Sequence, residues 1–329
     1  MTTLVAGDLH LNDNPRDHYR HEFQKQLRTL VKYHHIKKTI ILGDLTDAKD
    51  YHSSWLVNEI VGHIDALASL CNVIVLKGNH DYVDPTTPFF KFLSKIPNVR
   101  WINEPTYDCL PFGGAWFLPH TNDYKRDWKD IFTGKRCEWI FAHATFEGAQ
   151  VGPRRLDGIP LDIFPRNCKI ISGDIHYPQT VGKNLTYVGA PYTCHFGDSY
   201  KPRVLPIGDN GEIRSILCQG VQKRLVKIGS LKELDKFTRA APGDIVQIKY
   251  ELPSSKTDKW PIIKNEIREW AKEHKYAIDT IRPTIERDPG ATMKNRGGRK
   301  PDNELMEEYA KRTGAPSSVL KIGLELMKD

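Results

Sequence analysis

Five short groups of Asp, His and Asn hold most of the chemistry this chain could do. They are Asp8-x-His10, Gly43-Asp44, Gly78-Asn79-His80-Asp81, the lone His143 in Ala142-His143-Ala144, and Gly173-Asp174-Ile175-His176. Asp81 apart, they offer three carboxylates, one amide and four imidazoles. Oxygen and nitrogen donors without thiolates suit Mn²⁺, Fe²⁺ or Zn²⁺ in a working site better than a structural zinc. The set is too large for one ion and about right for two that share a carboxylate. Two metals about 3.5–4 Å apart are the usual clamp for phosphate-ester hydrolysis, because together they bind the phosphate oxygens, activate water and offset the charge that develops in line.

The elements between these groups must bring them together. Each group follows an apolar run that reads as a strand: Thr2 to Ala6, Thr39 to Leu42, Val73 to Leu76, Glu138 to Ala142 and Lys169 to Ser172. Helical spacing recurs between the first strands, at Phe23, Leu27, Leu30 and Val31 and again at Leu56, Val57, Ile60, Val61, Ile64 and Leu67. This βαβαβ order predicts a largely parallel sheet. The carboxyl ends of such strands open into one crevice, so groups far apart in sequence can converge there. Further strands are expected at Val99 to Ile102, Leu110 to Phe112 and Ala115 to Leu118, with a hairpin turn at Gly113-Gly114 and another at Asp209-Asn210-Gly211. A loop rich in Gly, Pro and Arg is expected from about Gln150 to Pro165.

The ordered groups resemble the calcineurin-like metallophosphoesterase superfamily, whose pattern is D-x-H, G-D, G-N-H-[DE], a lone H and G-H-x-H. The resemblance implies an α/β fold, a two-sheet sandwich flanked by helices. It also implies that Asp8, His10, Asp44 and His176 hold one divalent metal and that Asp44 bridges to a second, completed by Asn79, His143 and Asp174. His80 would contact the phosphate and protonate the leaving oxygen, with Asp81 orienting its ring. The chain departs from the pattern at Asp174, where the family usually has His. A carboxylate there hardens the second site toward Mn²⁺ or Mg²⁺ over Zn²⁺.

Later residues narrow the resemblance. Tyr187-Val188-Gly189-Ala190-Pro191-Tyr192 followed by Phe196-Gly197-Asp198 is similar to the Mre11/SbcD-type DNA nuclease subunit. That branch implies a core over 1–219, a small α/β capping domain over 220–287 that helps grip DNA, a flexible basic linker over 288–302 and a helical tail over 303–329. The tail would dock on an SbcC/Rad50-like ATPase, within a homodimeric assembly. Its apolar positions include Val319, Leu320, Ile322, Leu324 and Leu326, with Ser317 as N-cap after a break at Gly314-Ala315-Pro316. The expected function is DNA exonuclease and endonuclease activity with two Mn²⁺ or Mg²⁺ ions. The alternatives are hydrolysis of small nucleotide diesters, and a catalytically weakened binding subunit.

Composition sets the outer limits. The chain has 329 residues, 39% hydrophobic and 27% charged, with a net charge of +7. That balance excludes wholesale disorder and suits an anionic partner. No apolar run reaches the 18 or so residues of a membrane span, and the N-terminal residues lack a signal-peptide pattern. The six cysteines form no C-x-x-C pair and are expected as reduced thiols in the cytoplasm. Arg154 and Arg155, in the loop after His143, are candidate DNA-phosphate contacts. His52 is a third candidate for DNA. His120 and His195 are candidates to line the cleft, His34-His35 are expected on the surface, and Trp260 and Trp270 in the core of the capping unit.

Overall fold

The computed structural model describes residues 3–128, 137–237 and 240–286, together with 306, 307, 310, 319 and 320. The linker expected at 288–302 and most of the tail expected at 303–329, including the break at Gly314-Ala315-Pro316 and Ser317, lie outside the described residues.

Two six-stranded sheets carry residues 3–217. The first contains β1 (Thr3–Ala6), β2 (Lys38–Ile41), β3 (Asn72–Leu76), β4 (Val99–Ile102), β13 (Arg203–Ile207) and β14 (Ile216–Leu217), in the order β14-β13-β1-β2-β3-β4. The second contains β5 (Thr106–Leu110), β6 (Gly113–Leu118), β7 (Trp139–His143), β10 (Lys169–Gly173), β11 (Gln179–Val181) and β12 (Leu185–Tyr187), in the order β11-β12-β10-β7-β6-β5. Strands β1 to β4 pair in parallel, as do β6, β7, β10 and β12. Parallel strands covered on both faces read as continuous apolar runs, and Thr3-Leu4-Val5-Ala6 is buried throughout.

The two sheets face each other across a core of Val5, Ile40, Leu42, Ile74 and Leu76 against Phe117, Phe141 and Ile171. Helices α1 (Tyr19–Tyr33) and α2 (Ser54–Ala68) cover the outer face of the first sheet. Their buried positions, among them Phe23, Leu27 and Val31 on α1 and Leu56, Ile60, Ile64 and Leu67 on α2, recur three or four residues apart. Ser53 caps α2 by accepting the Leu56 N–H at 3.2 Å. The outer face of the second sheet is closed by Trp128, Phe146 and Phe164, the first of these just after a short helix α3 (Tyr124–Asp127).

A separate three-stranded parallel sheet follows, with β15 (Lys223–Ile228), β16 (Ile245–Pro253) and β17 (Ala277–Glu286) in sequence order. Helix α4 (Trp260–Glu273) packs Ile263, Ile267 and Trp270 onto it, so Trp270 is core, and Trp260 packs against the same cluster. Among the described residues no helix is long and apolar enough to cross a membrane.

Three local expectations are corrected. The hairpin turn falls on Pro111-Phe112, not Gly113-Gly114, and β5 ends at Leu110. Gly113 opens β6 with φ +132°, and the Glu138 carboxylate occupies the space where a Cβ would stand. The loop after His143 contains a short hairpin, β8 (Gln150–Val151) against β9 (Arg154–Arg155). Cys137 and Cys168 are paired, with Cα atoms 6.0 Å apart, because Cys168 lies at the start of β10, beside the start of β7. The thiols of Cys71, Cys109, Cys194 and Cys218 are free, as expected for all six.

Candidate metal centre

The donor groups lie where strands leave the two sheets. Asp8 and His10 follow β1, Asp44 follows β2, Asn79 and His80 follow β3, His143 ends β7, and Asp174 and His176 follow β10. Asp8, His10, Asp44 and Asp174 have φ of 20°, 41°, 51° and 79°. Side chains with a Cβ rarely adopt that region. Four of the seven such residues outside glycine, among the described residues, are these donors. Strained backbone survives where the surroundings over-determine it, and it clusters at working sites.

Asp44 joins the two halves of the site. Its Oδ2 lies 3.3 Å from His10 Nε2, and its Oδ1 lies 3.4 Å from His143 Nε2. In the first half, His10 Nε2 faces His176 Nε2 at 2.8 Å. In the second half, His143 Nε2 faces Asn79 Oδ1 at 2.9 Å and Asp174 Oδ1 at 3.8 Å. Asp8 is fully buried; its Oδ1 accepts the Asp174 N–H at 2.7 Å and its Oδ2 has no partner. Asp44 thus faces two groups of donors, His10 with His176 and His143 with Asn79 and Asp174, while Asp8 lies with Asp44 and His143.

This donor set fits divalent cations. Two imidazole nitrogens face each other at 2.8 Å, and the buried Asp8 Oδ2 has no partner among the described residues, as donors to a cation would. His143 Nδ1 donates to the Leu42 carbonyl at 2.6 Å, which fixes the tautomer that leaves its Nε2 free to ligate. His10 Nδ1 lies 3.0 Å from Asp47 Oδ1, an ion-pair contact.

Charge within the site is poised in the same way. Burial pushes the Asp8 carboxyl up to about 6. Burial would also raise Asp44, but His143, then His10 and His80, outweigh it and hold Asp44 below the ordinary carboxylate range. Burial would lower His143, yet Asp44, then Asp174 and Asp8, hold it well above the ordinary imidazole value. His176 is depressed to about 4 by burial and by His10. The Asp44–His143 pair therefore holds a proton in the place a cation would take.

His80 sits beside the first half, its ring edge-on to His10 with centroids 4.9 Å apart. Its N–H donates to Asp44 Oδ1 at 2.9 Å, and its Nδ1 donates to the Asp47 carbonyl at 2.7 Å. The expectation that Asp81 orients this ring is corrected. Asp81 is fully buried and turned the other way, accepting the N–H groups of Gly78 at 2.6 Å, Asp44 at 3.0 Å and Leu45 at 3.0 Å. It ties the loop after β3 to the loop after β2. Gly78 makes that approach possible, since a Cβ there would stand 2.2 Å from Asp44 Oδ1.

Asp47 is the residue that sequence reasoning missed. Its carboxylate holds His10 and the Arg20 guanidinium, the latter at 2.8 Å, while its carbonyl holds His80. Burial would raise Asp47, but His10 and Arg20 bring it down to about 2. Its one sequence signal was a carboxylate three residues after Asp44. The Tyr187-to-Asp198 segment braces His176. Ala190 N–H donates to the His176 carbonyl at 3.0 Å, and Asp198 Oδ2 accepts the N–H groups of Cys194 and His195 at 2.9 and 2.8 Å. The His195 ring stacks on His176 with centroids 6.1 Å apart.

The DNA candidates divide. Arg154 and Arg155 are exposed on the β8–β9 hairpin. His52 is half-buried; its Nε2 lies 2.8 Å from Thr46 Oγ1 and its ring packs on Phe89 and Phe90. His120 lies with its ring centroid 6.1 Å from that of His143 and lines an adjoining cleft.

Two facing sheets, with a bridged Asp and His centre at their strand ends, define a metallophosphoesterase. The family model for calcineurin-like phosphoesterases matches residues 1–178, and the chain belongs to that family. It is similar to "Putative phosphoesterase 244L" of Invertebrate iridescent virus 6, at 26% identity over 215 residues, 60% of this chain and 72% of that protein. Among solved structures it is similar to an archaeal phosphodiesterase, at 13% identity and TM-score 0.39, over 66% of this chain and 99% of that one. It is also similar to the phosphoesterase YfcE of E. coli, at 14% identity and TM-score 0.35, over 67% of this chain and 100% of that one.

Proposed function

We propose that this phosphoesterase is a two-metal phosphodiesterase whose substrate is DNA, resembling the Mre11/SbcD-type nuclease subunit. The observation that carries the hydrolytic reading is Asp44, whose two oxygens face separate ligand sets at 3.3 and 3.4 Å. DNA as substrate is supported by the net charge of +7. It is also supported by where the small α/β unit is tied down: Lys223 pairs with Asp17 at 2.7 Å and Arg16 with Asp279 at 3.1 Å, both on the loop that carries His10 into α1. A polymer lying across the metal centre would meet that unit.

In this reading Asp8, His10, Asp44 and His176 hold one ion, and Asn79, His143 and Asp174 with Asp44 hold the other. When bound, the ions polarise the phosphoester and lower the pKa of water. His80 serves the leaving group: with Nδ1 donating to the Asp47 carbonyl, Nε2 is the nitrogen left to give a proton. Mn²⁺ or Mg²⁺ suits the oxygen-rich second set. The 303–329 segment is the proposed docking element for an ATPase partner, and Val319 within it is 56% exposed. A truncated chain ending at 302 should hydrolyse esters but no longer co-purify with such a partner.

The test is cleavage of end-labelled linear and hairpin DNA, beside bis(p-nitrophenyl) phosphate, with Mn²⁺, Mg²⁺ or EDTA. Mn²⁺-dependent DNA cleavage, lost in His80→Ala, is the expected result. Cleavage of the small ester alone would make the chain a small-substrate phosphodiesterase. Metal binding with no hydrolysis at all would make it a binding subunit.

A further inference from the structure

We propose that the cleft beside the second half of the metal centre is a phosphate subsite, which takes a further phosphate carried by the same molecule as the ester that is cut. The proposal rests on the phosphodiesterase reading and names what that site selects. The cleft, about 590 Å³, lies between the loops after β3 and β6 and the short helix α3. Lys77, His120, Thr121, Arg126 and Asp127 are among its walls.

Lys77 carries the argument. Two Lys or Arg residues among the described residues are more than nine-tenths buried, Arg20 at 4% exposure and Lys77 at 5%. Arg20 meets the Asp47 carboxylate at 2.8 Å and that of Asp17 at 3.5 Å. Among the described residues Lys77 meets no carboxylate within 4.0 Å, though Asp127, Glu104 and Asp81 act on it from farther off; its Nζ has the Pro85 carbonyl at 3.5 Å and the face of Tyr82 at 4.7 Å. A buried ammonium without a close counter-ion is costly, and a phosphate entering the cleft would supply one. The opening of the same cleft carries Arg126, its side chain 72% exposed. Its Nε and one terminal nitrogen engage Asp127, which leaves the other terminal nitrogen uncommitted. The Asp127 carboxylate is in turn occupied by Arg126 and the Thr121 hydroxyl.

The cleft adjoins the metal centre. The His120 N–H donates to the Lys77 carbonyl at 2.8 Å, and its ring is held by the Tyr82 hydroxyl at 2.9 Å. That ring lies 6.1 Å from the ring of His143, so His120 stands between the cleft and the second ligand set. The cleft would take a phosphate beyond the scissile one on the same substrate. It could be the next diester of a polynucleotide strand or the terminal monoester of a single nucleotide.

The test uses the full chain with Mn²⁺ and three esters. They are thymidine 5′-(p-nitrophenyl phosphate), its 3′-phosphate, and the dinucleotide in which that 3′-phosphate is esterified to a second thymidine. Wild type should prefer the phosphate-bearing esters by about tenfold in kcat/KM, the scale of a charge-assisted contact. Lys77→Met and Arg126→Gln should each bring that ratio toward one. Arg126 is exposed, so its variant reads the subsite even where Lys77→Met fails to fold. Preference for the monoester assigns the subsite to a terminal phosphate, and equal or greater preference for the dinucleotide assigns it to the strand. Equal rates for all three esters, or an unchanged ratio in both variants, would overturn the subsite and leave the phosphodiesterase reading standing. Hydrolysis of none would overturn both.

Discussion

Asp47→Asn separates metal holding from proton delivery, because the two depend on different atoms of one residue. The carboxylate lies 3.0 Å from His10 Nδ1 and 2.8 Å from Arg20, whereas His80 is held by the main-chain carbonyl. The amide keeps the shape and loses the charge that makes His10 a better ligand. Removing such an outer partner costs about 10–100-fold in metal affinity, roughly 1.4–2.7 kcal/mol. The fold should lose less, about 1 kcal/mol, since Arg20 keeps Asp17 and the Asp47 side chain is 43% exposed. Titrating Mn²⁺ against hydrolysis of bis(p-nitrophenyl) phosphate, with a thermal melt alongside, reads both quantities. The half-saturating Mn²⁺ should rise within that 10–100-fold range, kcat at saturation should stay within a few-fold of wild type, and Tm should fall by about 2–4 °C. An unchanged Mn²⁺ requirement would refute the part given to the Asp47 carboxylate. A kcat that saturating metal does not restore would refute the separation itself.

Three further outcomes follow from the same geometry. Gly78→Ala places a Cβ 2.2 Å from Asp44 Oδ1, so metal content measured on purified protein should fall from two ions to one or none. Asp174→His restores a neutral nitrogen beside His143 and should shift the activating metal from Mn²⁺ toward Zn²⁺, read as the ratio of rates with the two ions. Metal affinity should weaken as pH drops below about 6, because the buried Asp8 carboxyl, raised to about 6, then takes the proton that competes with the ion. The sign for stability agrees. A carboxyl raised on folding favours the metal-free protein at low pH, and that contribution is lost as pH rises through about 6. Added Mn²⁺ should therefore raise Tm more at pH 7 than at pH 5.

The sequence carried the site better than it carried the edges of the fold. Each donor ends a short apolar strand, and that punctuation survives because parallel, doubly covered strands are unbroken apolar runs; β1 to β4 fall within a residue or two of the expected spans. The hairpin after β5 misled because Gly113-Gly114 looked like a turn. Gly113 answers instead to the Glu138 side chain, which reaches it from the start of the neighbouring strand β7. Asp47 takes the part expected of Asp81 for the same kind of reason. A carboxylate next to a His suggests a ring partner, but only the path of the backbone decides that Asp81 faces three N–H groups and that the Asp47 carbonyl faces the ring. The burial of Lys77 without a close counter-ion is a fact of packing alone.

Anomalous diffraction at the manganese edge, from crystals grown with Mn²⁺, addresses the shared Asp44 most directly. Two peaks about 3.5–4 Å apart are expected. One would lie among Asp8, His10 and His176, the other among Asn79, His143 and Asp174, with an Asp44 oxygen in reach of both. A single peak, or a pair that leaves Asp44 to one side, would contradict it.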